Sequence, residues 1–297
     1  MAFLESKMDK FDRSVSMLAW GYNEEELIEG FLDRALSLLE RVVSEFELIF
    51  VDDGSTDRTG ELVRARASRE PRLKVITNPK NLNVAASAKK AFRAASKQYL
   101  FWQTVDWSYD ISHLRIFLEL LKHFDVVTGV RPTPERVLSH IPVVRSVYRV
   151  RGRSDNLKSA TVSLGNYYVV RLLYGLPFHD VQNVAFYPTA LVNSFDLTGD
   201  SSFLGPEMMC KALASGATYL EVPIPFIPRT AGASKGSTPS AIYRSVRDIM
   251  ANWFDWGFET RKQIAGLPPG VVSRVSEPAF LSEQVLELAV PLFKYFR

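Results

Sequence analysis

The sequence predicts an α/β protein built on a mostly parallel sheet with helices on both faces. Three observations lead there. Short β-branched and aromatic runs recur through residues 1–130, longer stretches between them carry apolar residues at helical spacing, and turn-rich clusters separate the two. Parallel neighbours need a crossover connection, so this alternation folds as repeated strand–helix–strand units.

The elements follow in order. Residues 14–19 form the first expected strand, and residues 24–40 place Leu27, Ile28, Phe31, Leu32, Ala35, Leu38 and Leu39 on one helical face. Residues 46–51 (FELIFV) make a second strand, closed by the turn-rich DDGSTD, where Thr56 or Asp57 can cap a helix running to residue 69. A third strand (73–77), a helix (84–96), a fourth strand (99–103), a helix (111–123) and a fifth strand (125–130) continue the pattern. The stretch 131–160 then breaks it, with Pro132, Pro134 and Pro142 in an Arg-rich loop. Helical patterns return at 160–174 and 202–215, with a strand-like run at 181–186. Residues 217–227 (ATYLEVPIPFI) read as an edge strand, since Pro223 and Pro225 lack ladder donors. Residues 239–263 read as one long helix, and the tail after Leu267 holds a single strong helical pattern at 282–288. The expected division is a catalytic domain over 1–236 and a helical appendage and tail over 237–297.

Composition narrows the classes. The chain has 297 residues, 46% hydrophobic, with 36 Lys+Arg against 33 Asp+Glu. That apolar content excludes a largely disordered chain, and a net charge of +3 gives no footprint for nucleic acid. The single cysteine, Cys210, cannot form an internal disulfide, which suits a reducing cytoplasm. No apolar run reaches the ~20 residues of a membrane span, so a soluble or peripheral protein is expected, and a homo-oligomer is compatible with the sequence. The four histidines show no zinc-ligand spacing, and neither G-x-G-x-x-G nor G-x-x-x-x-G-K-[ST] occurs.

Ligands of parallel sheets bind beyond the carboxyl ends of the strands, so the residues just after each strand carry the chemistry. After the first strand stands WGYNEE (20–25), and after the second DDGSTD (52–57). A ring that stacks, beside carboxylates that accept from base N–H or ribose hydroxyls, suits a nucleoside. The same DDGSTD also suits a plain turn and helix cap. After the fourth strand, Asp106, Ser108 and Asp110 alternate; they suit a hard cation, or Asp110 caps the next helix and Asp106 is a turn residue.

Taken together, these segments resemble family 2 glycosyltransferases of the GT-A fold. The matches are Tyr22-Asn23-Glu24, the run Val51-Asp52-Asp53-Gly54-Ser55-Thr56-Asp57, Asn81 and Asp106. Residues 125–131 (DVVTGVR) are similar to a further family strand. Residues 221–226 (EVPIPF), followed by Arg229 and Gly232-Ala233-Ser234-Lys235, are similar to a block typical of dolichyl- or polyprenyl-phosphate sugar synthases. The resemblance spans roughly residues 14 to 236. It departs at Trp20, where the family has proline, at Asn83, Ala85 and Ala91, where it has glycines, and at Ser108, where it has a second aspartate.

The resemblance implies an inverting transferase acting on a UDP- or GDP-linked sugar. It assigns the donor to Tyr22, Glu24, Asp52, Asp53, Asn81 and Asp106, and a Mg²⁺ or Mn²⁺ ion to Asp106, with Asp110 standing in for the missing aspartate. The acceptor would be a lipid monophosphate held by Arg131, Arg229, Ser234 and Lys235, with Asp106, Arg131 and Asp180 as the catalytic group and Asp180 as base or positioning residue. A small soluble or non-phosphate acceptor, and a non-catalytic scaffold, are the competing readings. Two features bear on location. The aromatic-rich stretch 242–258 suits core packing or a membrane surface. Seven Lys/Arg and two Asp/Glu fall within 131–160, leaving the rest slightly acidic, which suits a peripheral position at the inner face of the membrane.

Overall fold

The computed structural model describes residues 9–131, 157–228 and 238–296, with 157–160 described by backbone alone. Its first half runs β1 (Val15–Gly21), α1 (Ile28–Val42), β2 (Phe46–Asp52), α2 (Thr59–Ala67), β3 (Leu73–Thr77), α3 (Val84–Ala94), β4 (Tyr99–Trp102), α4 (Leu114–Leu120) and β5 (Val126–Val130). Its second half runs α5 (Leu157–Tyr174), β6 (Ala185–Pro188), α6 (Thr189–Asn193), α7 (Leu204–Ala214), β7 (Tyr219–Pro223), α8 (Pro239–Asn252), α9 (Phe258–Ala265), β8 (Val272–Arg274) and α10 (Glu283–Ala289). The strands form one sheet in the order β3-β2-β1-β4-β6-β5-β7-β8. Only β6 runs antiparallel, to β4 on one side and β5 on the other. All seven residues of β2 are buried, as its near-continuous apolar run requires of a strand covered on both faces.

Each face of the sheet carries its own apolar layer. On one, Phe31, Leu32 and Phe117 of α1 and α4 pack with Val285 and Leu292 from the chain's last segment. On the other, Ala88 and Phe92 of α3 pack with Tyr167, Met208 and Ile249 of α5, α7 and α8.

Three expectations need correction. Residues 219–223 are not an edge strand: β7 lies between β5 and β8. The prolines permit this because β8 pairs only with residues 219–221, ending before Pro223. The long helix at 239–263 is interrupted by a π-helical turn, Trp253–Gly257. There the backbone presses on α5, and a Cβ on Gly257 would stand 2.6 Å from Cε1 of Tyr174. Finally, the expected helical appendage and tail over 237–297 carries α8, α9 and α10 but also joins the sheet. It supplies β8 to the sheet, and Val285, Ala289 and Leu292 to the same core as Val15 and Phe50.

Candidate active site

The loops after β1 and β2 are laced together by hydrogen bonds from residues of both motifs. Asn23, in the left-handed region at φ 54°, donates its backbone N–H to Ser55 Oγ (3.0 Å) and its side-chain amide to Thr56 Oγ1 (3.2 Å). Thr56 N–H returns a bond to Asn23 Oδ1 (2.9 Å), and Glu24 N–H donates to Thr59 Oγ1 (2.8 Å). Within DDGSTD two carboxylates hold turns, while the N-cap of α2, Arg58, makes no side-chain capping bond. Asp52, 2% exposed, accepts from Ser55 N–H (3.0 Å), and Asp57 accepts from Thr59 N–H (2.9 Å) at the start of α2.

Asp53 does something different. Its Oδ1 accepts from Asn78 Nδ2 (2.7 Å) and from Leu82 N–H (2.9 Å), drawing residues 78–82 against the β2 loop. Gly54 makes room for this at φ 73°, since a Cβ there would stand 2.4 Å from the Lys80 carbonyl carbon. Half-buried Tyr22 and Glu24 and exposed Asn81 therefore belong to one preorganised rim at the carboxyl ends of β1 and β2.

The loop after β4 forms the centre. Gln103 closes it, donating from Nε2 to Tyr109 O (2.8 Å) and accepting from Thr104 N–H (2.9 Å). Trp107 adopts φ 55°, an outlier for a bulky residue, and is held by packing on Phe31 (5.7 Å between rings) and by the Arg34 guanidinium over its face (4.2 Å). This turn sets Asp106 and Ser108 side by side, with Ser108 Oγ donating to Asp106 Oδ1 (2.6 Å). The loop is stitched to the segment after β7: Ile227 N–H donates to Ser108 O (2.8 Å) and Asp110 N–H to Pro225 O (3.0 Å).

Asp110 is committed elsewhere. Its oxygens accept from Ser112 N–H (3.0 Å) and from Tyr295 Oη (3.1 Å), fastening the tail to the loop. Burial opposes its charge, but these bonds hold its carboxyl below the usual range. Burial, then the Asp110 charge, push Tyr295 up to about 12. Asp110 thus already serves the loop and the tail, while Asp106 and Ser108 stand together. Among the described residues no group of three or more His, Cys, Asp or Glu side chains gathers to hold a metal. Asp106 with the Ser108 hydroxyl still fits Mg²⁺ or Mn²⁺, because such ions bind through one or two carboxylates and take further ligands from substrate phosphates and water.

Beyond β5 stands Arg131, whose Nε and Nη2 clasp Asp180 Oδ2 (2.5 Å) and Oδ1 (2.6 Å). Gln182 N–H adds a bond to Asp180 Oδ1 (3.1 Å). Burial opposes the charge on Arg131, but Asp180 more than offsets this and raises the guanidinium above its ordinary value. With both oxygens engaged, Asp180 is the residue that orients Arg131. Gln182 and Tyr109 complete this corner: Arg131 Nη2 and Tyr109 Oη both donate to Gln182 O, at 3.2 and 3.1 Å.

The loop carrying Asp180 is pinned from the tail. Glu221 accepts from His179 N–H (2.7 Å) and from Arg274 Nε (2.9 Å), while Arg274 Nη2 donates to Pro177 O (2.7 Å). Sequence reasoning missed Arg274, Tyr109 and Gln182; Glu221 opens the recognised EVPIPF run, the one signal that pointed here. Arg229, Ser234 and Lys235 lie outside the described residues, as does most of the basic 131–160 stretch.

Between these polar groups and the helices of the second face lies a cavity of about 620 Å³. Thr104, Ser108, Tyr109, Arg131 and Gln182 line it, and the remaining wall is mostly apolar, including Trp20, Ala85, Ala88, Phe92 and Trp102, with Ser163, Asn166 and Ser245 among it.

These features define a class of protein. The sequence model of glycosyl transferase family 2 matches residues 21–170, and the chain belongs to that family. It is similar to glycosyltransferase AglD of Haloferax volcanii, 26% identical over 93% of this chain, which spans 41% of the length of AglD. It is also similar to the undecaprenyl-phosphate mannosyltransferase of Micrococcus luteus, 25% identical over 81% of this chain and 92% of that one. Among solved structures, S. aureus TarS 1-349 in complex with UDP-GlcNAc superposes with a TM-score of 0.53, at 16% identity over 96% of this chain and 82% of that one. The glucosyl-3-phosphoglycerate synthase of M. tuberculosis follows with a TM-score of 0.51, at 16% identity over 86% and 82%. The fold is GT-A.

Proposed function

We propose that this chain is an inverting glycosyltransferase that moves a sugar from a nucleotide diphosphate to a polyprenyl monophosphate at a membrane surface. The observation that carries the acceptor class is Arg131, largely covered and clamped by Asp180, in the lining of a mostly apolar cavity. A guanidinium held in place by a carboxylate is a fixed cationic group for a phosphate, and the largely apolar lining beside it suits hydrocarbon. The relatives named for undecaprenyl phosphate support the same class.

The chemistry follows from the residues. Tyr22, Glu24, Asp53 and Asn81 hold the nucleoside on the laced rim. Asp106, braced by Ser108, holds a divalent cation, which when bound neutralises the departing diphosphate. Arg131 orients the acceptor phosphate, whose oxygen is already anionic and needs no strong base, so Asp180 acts by positioning. Arg229, Ser234 and Lys235 supply further acceptor contacts in this reading. Membrane attachment would be peripheral, at the inner face: among the described residues no helix is long and apolar enough to cross a membrane. On α8 and the turn after it, Tyr243, Val246, Arg247, Met250 and Phe254 form an exposed stripe suited to an interface.

Incubation with radiolabelled UDP- and GDP-sugars, undecaprenyl phosphate and Mg²⁺ or Mn²⁺ tests the proposal. Label in the organic phase with one donor is the expected result. Label reaching only water-soluble acceptors would overturn the lipid assignment.

A further inference from the structure

The cavity beside Arg131 is more than a pocket for a phosphate. Most of its lining is apolar, with Ser163, Asn166 and Ser245 as polar points on the α5 and α8 walls, and it lies between α3, α5, α7 and α8. Three of its large apolar lining residues are also exposed at the surface: Val84 at the start of α3 (48%), Val169 on α5 (44%) and Val246 on α8 (54%), the last two on neighbouring walls of the cavity. Around those two the outer faces of α5 and α8 expose Tyr168, Leu172, Tyr243 and Met250. A void lined by apolar side chains, continuous with an exposed apolar face, is a path for hydrocarbon between a bilayer and the reacting phosphate.

Two of the departures from the family pattern lie on this wall. Trp20 replaces the expected proline and lines the cavity against Phe92 (6.4 Å between rings), and Ala85 replaces an expected glycine on the α3 side. They give the void its aromatic and methyl surface.

We infer that the cavity houses the phosphate-proximal units of the acceptor's hydrocarbon chain, which passes out between α5 and α8 through the gap flanked by Val169 and Val246. This rests on the lipid-phosphate reading above and adds a specific seat for the chain within the soluble fold. An amphiphile with an anionic head and an apolar tail satisfies Arg131 and the wall at once; a free phosphate satisfies only Arg131, and an alcohol only the wall.

Calorimetry on the full chain with decyl phosphate (below its micelle concentration), inorganic phosphate and decanol tests the inference. Burial of several methylenes should make decyl phosphate bind about 100-fold tighter than inorganic phosphate. The Ala88→Leu variant, which fills the void, and the Val246→Asp variant, which charges the exposed rim, should each cut that ratio about tenfold. Should Ala88→Leu fail to fold, Val246→Asp decides, since its site is on the surface. Equal binding of decyl and inorganic phosphate would overturn the inference, as would decanol binding as tightly as decyl phosphate, or a ratio unmoved by Val246→Asp. The transfer assay separates this from the parent reading. Strong decyl phosphate binding without transfer to any prenyl phosphate would remove the transferase and leave the chain site; transfer to undecaprenyl phosphate with no chain preference would remove the chain site alone.

Discussion

At the carboxyl ends of β1 and β2 the site is a lattice of directional hydrogen bonds between residues 32 to 35 positions apart. Beyond β5 it is a mostly apolar void walled by side chains drawn from Trp20 to Ile249, with one clamped guanidinium in its lining. The first kind of wall fixes a ligand's orientation, because each bond is lost when geometry shifts by a fraction of an ångström. The second fixes little except shape and depth, because apolar burial is non-directional. A polar nucleotide matches the first and a flexible chain the second. The Asp106–Ser108 turn, stitched to the segment after β7, lies between them.

The sharpest way to break this division is at its boundary. Asp106→Ala should lower kcat by about 100- to 1000-fold, the scale seen when one preorganised electrostatic group is lost. Steady-state rates with and without added Mn²⁺ check it, and restored activity at high metal would show that the carboxylate serves only to retain the ion. The next largest effect tests the acceptor side. If Asp180 orients Arg131, Asp180→Asn should raise the acceptor KM about 10- to 100-fold while leaving the shape of the pH–rate profile unchanged. A flattened acid limb with unchanged KM would make Asp180 a base instead.

A third effect falls on the donor rim. Gly54→Ala forces a Cβ to within 2.4 Å of the Lys80 carbonyl carbon at φ 73° and should cost about 2–4 kcal/mol in urea unfolding. Donor affinity should fall with it, measured by nucleotide calorimetry, while decyl phosphate binding holds. Parallel loss of both ligands would show that the two walls are one cooperative unit.

The same contrast explains what could be read from the sequence. The laced rim after β1 and β2 was legible because its lacing sits inside two short motifs, and β1 and β2 because a doubly covered parallel strand must be apolar almost throughout. The cavity was illegible because Phe92, Met208 and Ile249 each read as ordinary core residues; only the fold leaves a gap among them. Arg274 and Tyr295 carry no motif, since their partners Glu221 and Asp110 stand 53 and 185 positions away. The tail was misjudged for a related reason. A three-residue strand after a Pro-Pro-Gly break gives no period to detect, although it seats beside β7. Pro223 and Pro225 misled because the edge-strand rule concerns residues inside the ladder, and here the β7–β8 pairing stops at Glu221.

The smallest expected effect returns to a departure from the family pattern. Where the family's third helix starts with glycine, this chain has Asn83, yet its backbone keeps the conformation glycine would take, at φ 73° and ψ 166°. That region is open almost only to glycine and costs other residues of order 1–3 kcal/mol. Asn83 recovers little of this through its side chain, which is exposed and makes no capping hydrogen bond to α3. Its N–H already donates to Asn81 Oδ1 (3.1 Å), a bond that glycine would retain. Asn83→Gly should therefore stabilise the chain by about 1 kcal/mol, after the extra backbone entropy glycine loses on folding. The urea midpoint should rise with an unchanged slope. A fall in the midpoint would mean that the Asn83 side chain supports the rim, and the donor wall would then reach past Asn81 to the first turn of α3.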